Sequence, residues 1–326
     1  MRPRVLGAAV AAVALIVALP ASSRPTLWER LRDPQAAREA RLLTELERDL
    51  AARAEARFDA SFDFEHGAVA AIDLAEVGTP RDPRLASAMG HVLVEADAGR
   101  DAEAVTLLER AVAALPTSEL LADTWHELGL AKARGGDFAA ARDAETHALE
   151  NALEPDARAS ALYFRAMSEA GLGDLWRAAS DYRAAVALAL APPLQAFTRF
   201  ELGVTLERLG DVPAANAALE NGLLVRLPLS TYSTDEPLDL PGLDFFPRYE
   251  RFYLTALVAM SRARGEDDPH ARRAGYEQAV EEWDAYLLAA GAEEPWTEHA
   301  LRYRDQCTSE LRKFPPRRHQ GKAAPR

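Results

Sequence analysis

Seven histidines are the side chains of this sequence best suited to acid–base or metal chemistry at neutral pH. A zinc protease helix needs two histidines four apart with a glutamate between them, so that both imidazoles share one face. His126-Glu127 begins that pattern, but Leu130 stands where the second histidine is required, and no other histidine has ligand spacing. The sequence has no Walker loop, no dinucleotide fingerprint and no nucleophile elbow. The adjacent carboxylates Glu281-Glu282 and Asp267-Asp268 fall on helix surfaces or turns, where solvated charge is the ordinary reading. Cys307 is the single cysteine, so there is no intrachain disulfide. It is read as a buried, inert thiol, with an intermolecular bridge as the alternative. The chain is therefore expected to be no enzyme, with no catalytic residue, cofactor or metal. Its formal charge of −13 argues against general nucleic-acid binding.

The elements that would carry any site are set by a repeat. Gly99, Gly136, Gly173 and Gly210 follow one another at a constant interval of 37 residues. Ala104, Ala141, Ala178 and Ala215 keep that interval, as do Ala111, Ala148, Ala185 and Gly222, and the apolar Val112, Leu149, Val186 and Leu223. A fixed period of this size with small residues in register marks a stacked array. Each unit reads as helix, glycine turn, helix. Glycine suits the left-handed conformation that ends a helix. Asp137, Asp174 and Asp211 follow it, placed to accept hydrogen bonds from the free N–H groups of the next helix, with Asp101 shifted by one in the first unit. The alanines on the second helix allow close helix approach.

The second unit, with Trp125, Leu128-Gly129, Gly136-Asp137-Phe138, Ala141 and Ala148, resembles a tetratricopeptide repeat. The fourth is similar through Leu202-Gly203, Gly210-Asp211, Ala215 and Gly222; the third offers Leu162, Ala166, Gly173-Asp174, Ala178, Tyr182 and Ala185, and the first Gly99, Ala104, Leu108, Ala111 and Pro116. The period is 37 where that family usually shows 34, so the extra residues fall after Ala111, Ala148 and Ala185. Lys132 and Glu145 stand where the family commonly has aromatics.

The resemblance implies an all-α fold: a right-handed superhelical solenoid of antiparallel helix pairs with irregular terminal caps. It also implies a concave groove, lined by the first helix of each pair, that holds a protein or peptide segment. Carried over unit by unit, the groove positions are Met89 and Leu93; His126, Leu130 and Arg134; Tyr163 and Met167; then Phe197, Phe200, Val204 and Arg208. Arg134 and Arg208 would supply donors for a carboxylate or phosphate. Packing of these side chains against neighbouring repeats is the competing reading.

The rest of the chain frames residues 85–228. Arg2 and Arg4, an uncharged run from Val5 to Leu19 and small residues near Ala21 form a signal-peptide pattern over 1–21, with an uncleaved anchor as the alternative. Cleavage would leave a charge of −15. Residues 22–84 are expected to form a helical cap, with one helix from Pro34 to about Phe58 and a second over 67–77. A Pro-rich insertion over 229–247 breaks the period; its Asp235, Glu236, Asp239, Asp244, Phe245 and Phe246 either gate the groove or cover an apolar flank. A helical pair and a capping helix follow over 248–314, with Gly265 as the candidate turn glycine, and a disordered basic tail over 315–326. The expected function is a non-catalytic interaction scaffold of the cell envelope. Its alternatives are self-assembly through the C-terminal helices around Trp296 and Cys307, or the helical domain of a carbohydrate-active enzyme with aromatics near Phe245. Membrane contact is expected only through the leader or the tail.

Overall fold

A computed structural model describes residues 33–55, 78–95, 99–116, 119–188, 192–221, 245–292 and 294–314. Every regular element among them is α-helical, giving the all-α class expected. The leader, the second cap helix over 67–77, Gly222, the insertion up to residue 244 and the basic tail lie outside the described residues. No described helix is long and apolar enough to cross a membrane.

The chain divides into two compact units, Met1–Pro247 and Arg248–Arg326. The first begins with α1 (Pro34–Glu55). Asp33 caps it, its Oδ1 accepting from the Ala36 N–H at 3.0 Å, and Leu42, Leu43, Leu46 and Leu50 are buried as their spacing predicts. Glu39, also on α1, is buried because its carboxylate accepts the N–H groups of Arg81 and Asp82 at 3.2 Å, at the entry to the next helix.

Four helix pairs follow: α2 (Pro83–Glu95) with α3 (Asp101–Ala114), α4 (Glu119–Arg134) with α5 (Phe138–Asn151), α6 (Pro155–Gly171) with α7 (Leu175–Ala187), and α8 (Pro192–Arg208) with α9 (Val212–Asn221). Each helix packs on the one before it from α2 through α9, and the first helices α2, α4 and α6 also touch in succession. The turn between partners is the same device in three units. Gly136, Gly173 and Gly210 have φ of 80°, 80° and 81°, so a side chain there would strain the backbone. Each glycine N–H bonds three residues back, and the following aspartate N–H five back, closing the helix end. The same aspartates then turn to the next helix: Asp137 accepts from Ala140 N–H, Asp174 from Arg177 and Asp211 from Ala214, at 3.1–3.2 Å. Gly99 shares the left-handed φ, at 68°. Asp101, however, is no cap; Arg100 holds that place without a side-chain hydrogen bond and Asp101 lies inside the first turn.

The alanines of the second helices are buried as the repeat requires: Ala104, Ala111, Ala141, Ala178 and Ala185 have no exposed surface, and Ala148 and Ala215 almost none. The exits from α3, α5 and α7 run extended at Leu115, Ala152 and Leu188. Phe246, from the end of the insertion, is buried in the apolar core of this unit.

The second unit contains α10 (Glu250–Gly265), α11 (Pro269–Ala290) and α12 (Thr297–Leu311), packed in sequence. Its core is aromatic: Tyr253 meets Trp283 edge-on at 4.8 Å and Tyr286 at 5.1 Å, and Trp283 stacks on Tyr303 at 5.5 Å. Gly265 is the last residue of α10 and lacks a left-handed φ, so it is not a turn glycine of the repeat type. Asp268 makes this turn instead, accepting the N–H groups of His270 and Ala271. Cys307 is fully buried, and burial pushes its thiol above the ordinary range, which fits an inert thiol and removes its sulfur from an intermolecular bridge in this fold.

Candidate functional site

The residues expected to line a groove are drawn into the array. Met89, Leu93, Leu130, Tyr163, Met167, Phe197, Phe200 and Val204 are all buried, and His126, Arg134 and Arg208 are half-buried. Met89, His126, Tyr163 and Phe200 occupy one column of the repeat, 37 residues apart. In the third unit that column faces the partner helix of its own pair, since the Tyr163 ring lies 5.8 Å from that of Tyr182 on α7. Arg134 is engaged internally: its Nη1 donates to the Val94 carbonyl near the end of α2 and lies 3.9 Å from Asp101. A cation at a helix C-terminus is favoured by the carbonyls exposed there.

The same column carries a polar exception. In the second unit it holds His126, facing Glu145 on α5, with Nδ1 at 3.0 Å from both carboxylate oxygens. Glu145 is in register with Leu108 and Tyr182, and it is only 1% exposed. Gly129 makes room for it, because a Cβ there would fall 2.5 Å from Glu145 Oε1. Burial raises the Glu145 carboxyl to about 7 against the opposing pull of His126. The other face of His126 meets Phe164 edge-on at 4.9 Å.

Next to this pair, Glu127 points from α4 towards α2. His91 Nε2 lies 3.1 Å from Glu127 Oε1 and 3.6 Å from Glu95 Oε1. His91 and Glu95 are four apart on α2, so helical geometry sets them on one face; Glu127 comes from the adjacent first helix. Burial disfavours a charged His91, but Glu127 and Glu95 outweigh it and lift the imidazole to about 9. Glu127 is itself raised, first by burial and then by Glu95, with His91 opposing. Its side chain is 6% exposed, and Oε2 is buried with no hydrogen-bond partner. The donor atoms of His91, Glu95 and Glu127 all lie within 4.8 Å of one another, a group that could hold a cation. Spacing along the chain does not show this group, because its third potential donor comes from about one period away. Its signal was present in the sequence as Glu127 standing 36 residues from His91, one short of the repeat.

A third polar cluster lies between the second and third units. Arg165 on α6 grips Asp181 on α7 with two hydrogen bonds of 2.6 and 2.9 Å. Arg142, Arg177, Glu169 and Thr146 complete a polar recess around them. Beside it in sequence, Trp176 is 70% exposed. Trp176 is in register with Ala102, Ala139 and Pro213, so no other unit presents an aromatic there. Leu172 and Leu153 are also exposed.

No family model matches the chain, and no curated protein matches it significantly.

Proposed function

We propose that this protein is a non-catalytic binding scaffold: a solenoid of tetratricopeptide-like helix pairs that holds a segment of a partner protein in the cell envelope. The observation that carries the reading is Trp176, an exposed tryptophan at a position that is short or small in every other unit. The aromatic side chains Tyr163, Phe164 and Tyr182 of this unit are buried, whereas Trp176 turns outward and adds little to the core. Tryptophan and arginine dominate the energetics of protein interfaces, because a large apolar face and a planar donor fork gain most on desolvation.

Trp176 is followed by Arg177, which lines the recess holding Arg142, Arg165, Glu169 and Asp181. That combination suits a segment with one apolar anchor and a charged neighbour. It relocates the binding surface from the buried first-helix columns to the junction of the second and third units. Export to the envelope is supported by the arginine-flanked apolar run at the N-terminus.

The test is affinity capture from the native envelope with the wild-type chain and with Trp176→Ala. A partner retained by the wild type and lost with Trp176→Ala supports the surface. Equal retention of every captured protein contradicts it.

A further inference from the structure

We infer that His91, Glu95 and Glu127 form a binding site for a single divalent transition-metal ion bridging the first two repeat units. Once the incoming ion displaces the His91 proton to solvent, the donors are one imidazole nitrogen and two carboxylates, a set that suits zinc, manganese or iron(II) and that, lacking sulfur, does not select copper(I). Bonds of about 2.0–2.2 Å to a tetrahedral or octahedral ion place neighbouring donors roughly 3.0–3.5 Å apart. His91 Nε2 already stands 3.1 Å from Glu127 and 3.6 Å from Glu95. The donor atoms of all three residues lie within 4.8 Å of one another, and Glu95 is the more exposed of the two carboxylates.

An independent observation is the state of Glu127. A buried carboxylate normally satisfies both oxygens, because leaving one without a partner costs its desolvation in full. Glu127 Oε2 is buried and accepts no hydrogen bond among the described residues. A cation ligated by Glu127 would offset the charge of a carboxylate whose burial is only partly compensated. His91 and Glu95 remain half-exposed, so the ion has a path from solvent and open positions for water. The other charged groups near the site are Asp123 and His126 on α4, and Arg134, which is already directed at the Val94 carbonyl and Asp101.

Because α2 and α4 are the first helices of successive pairs, an ion held between them would fasten one repeat to the next. The inference does not depend on the partner surface at Trp176.

The test uses the full chain, stripped of metal with a chelator and titrated with Zn²⁺ at pH 8 in a calorimeter. The expected result is one ion per chain, with affinity reduced at least tenfold by Glu95→Gln and by Glu127→Gln. His147→Gln, which removes an exposed histidine beside Glu150, should change nothing. Glu95→Gln alters a half-exposed side chain and keeps the fold, so it carries the test if Glu127→Gln does not. Co²⁺ substitution should give a visible d–d absorption band in the wild type that Glu95→Gln abolishes. Absence of saturable Zn²⁺ binding overturns the inference, as does binding that both glutamine variants retain unchanged.

Discussion

Half-buried His126 faces buried Glu145, with Nδ1 at 3.0 Å from each carboxylate oxygen, at the positions that hold Met89 and Leu108 in the first unit and the paired Tyr163 and Tyr182 in the third. The repeat can accept this exchange because Gly129 leaves space for the carboxylate. The second unit thus holds an ionisable element inside an otherwise apolar column, and this has measurable consequences.

The first concerns pH. Glu145 has a folded value of about 7, above the ordinary glutamate range, so the native state holds a proton that the unfolded chain releases. Its contribution is complete at low pH and is lost as pH rises from about 4.5 through 7, amounting to about 3 kcal/mol. The groups facing it are His126, Glu127 and Arg165. Urea denaturation between pH 5 and 8 should show stability declining more steeply in the wild type than in Glu145→Gln, which keeps only the decline that the raised His91 and Glu127 contribute. Parallel profiles for the two proteins would refute the assignment.

Breaking the pair and replacing it should have opposite effects. His126→Ala leaves the buried Glu145 without its partner and is expected to cost about 3 kcal/mol. The double change His126→Met with Glu145→Leu, which installs the residues of the first unit, should match or exceed wild-type stability by about 1–4 kcal/mol. Thermal melts of the three proteins decide it; a double variant less stable than His126→Ala contradicts the account.

At the turns, Gly136→Ala must place a Cβ at φ 80° and should lose about 1–2 kcal/mol, although nothing lies within 4 Å of that Cβ. Asp174→Ala removes the cap on α7 and should lose about 1 kcal/mol. Chemical denaturation checks both, and a neutral Gly136→Ala would rule out backbone conformation as the reason for glycine.

Tyr163→Ala empties a site that is 3% exposed and should destabilise by about 3–5 kcal/mol. Trp176→Ala, at 70% exposure, should shift stability by less than about 0.5 kcal/mol. Circular dichroism melts of the two variants separate core from surface, and a large loss for Trp176→Ala would place that side chain in the core.

The glycine turns were legible because φ near 80° admits few residues other than glycine, so a single residue type at a fixed interval reports a backbone state. Asp137, Asp174 and Asp211 were readable for a similar local reason: each bonds an N–H three residues away. The direction of the first-helix side chains was not. Periodicity gives an apolar face but not the neighbour that covers it, so the column of Met89, His126, Tyr163 and Phe200 reads equally as groove lining or as packing between repeats, and all of these but the half-buried His126 are buried in the array. The clusters of His91 with Glu127 and Arg165 with Asp181 arise between helices, at separations of 36 and 16 residues that match no local motif. The first becomes visible when the repeat is used as a ruler; the second joins the two helices of one pair and needs their packing.

The most direct test of the scaffold account is site-specific photo-crosslinking in the native envelope, with the photoreactive residue placed at Trp176 or at Ala139, the in-register position of the preceding unit. The account predicts a discrete adduct with a partner protein from position 176 and none from position 139. The same adducts from both positions, or none from 176, would contradict it.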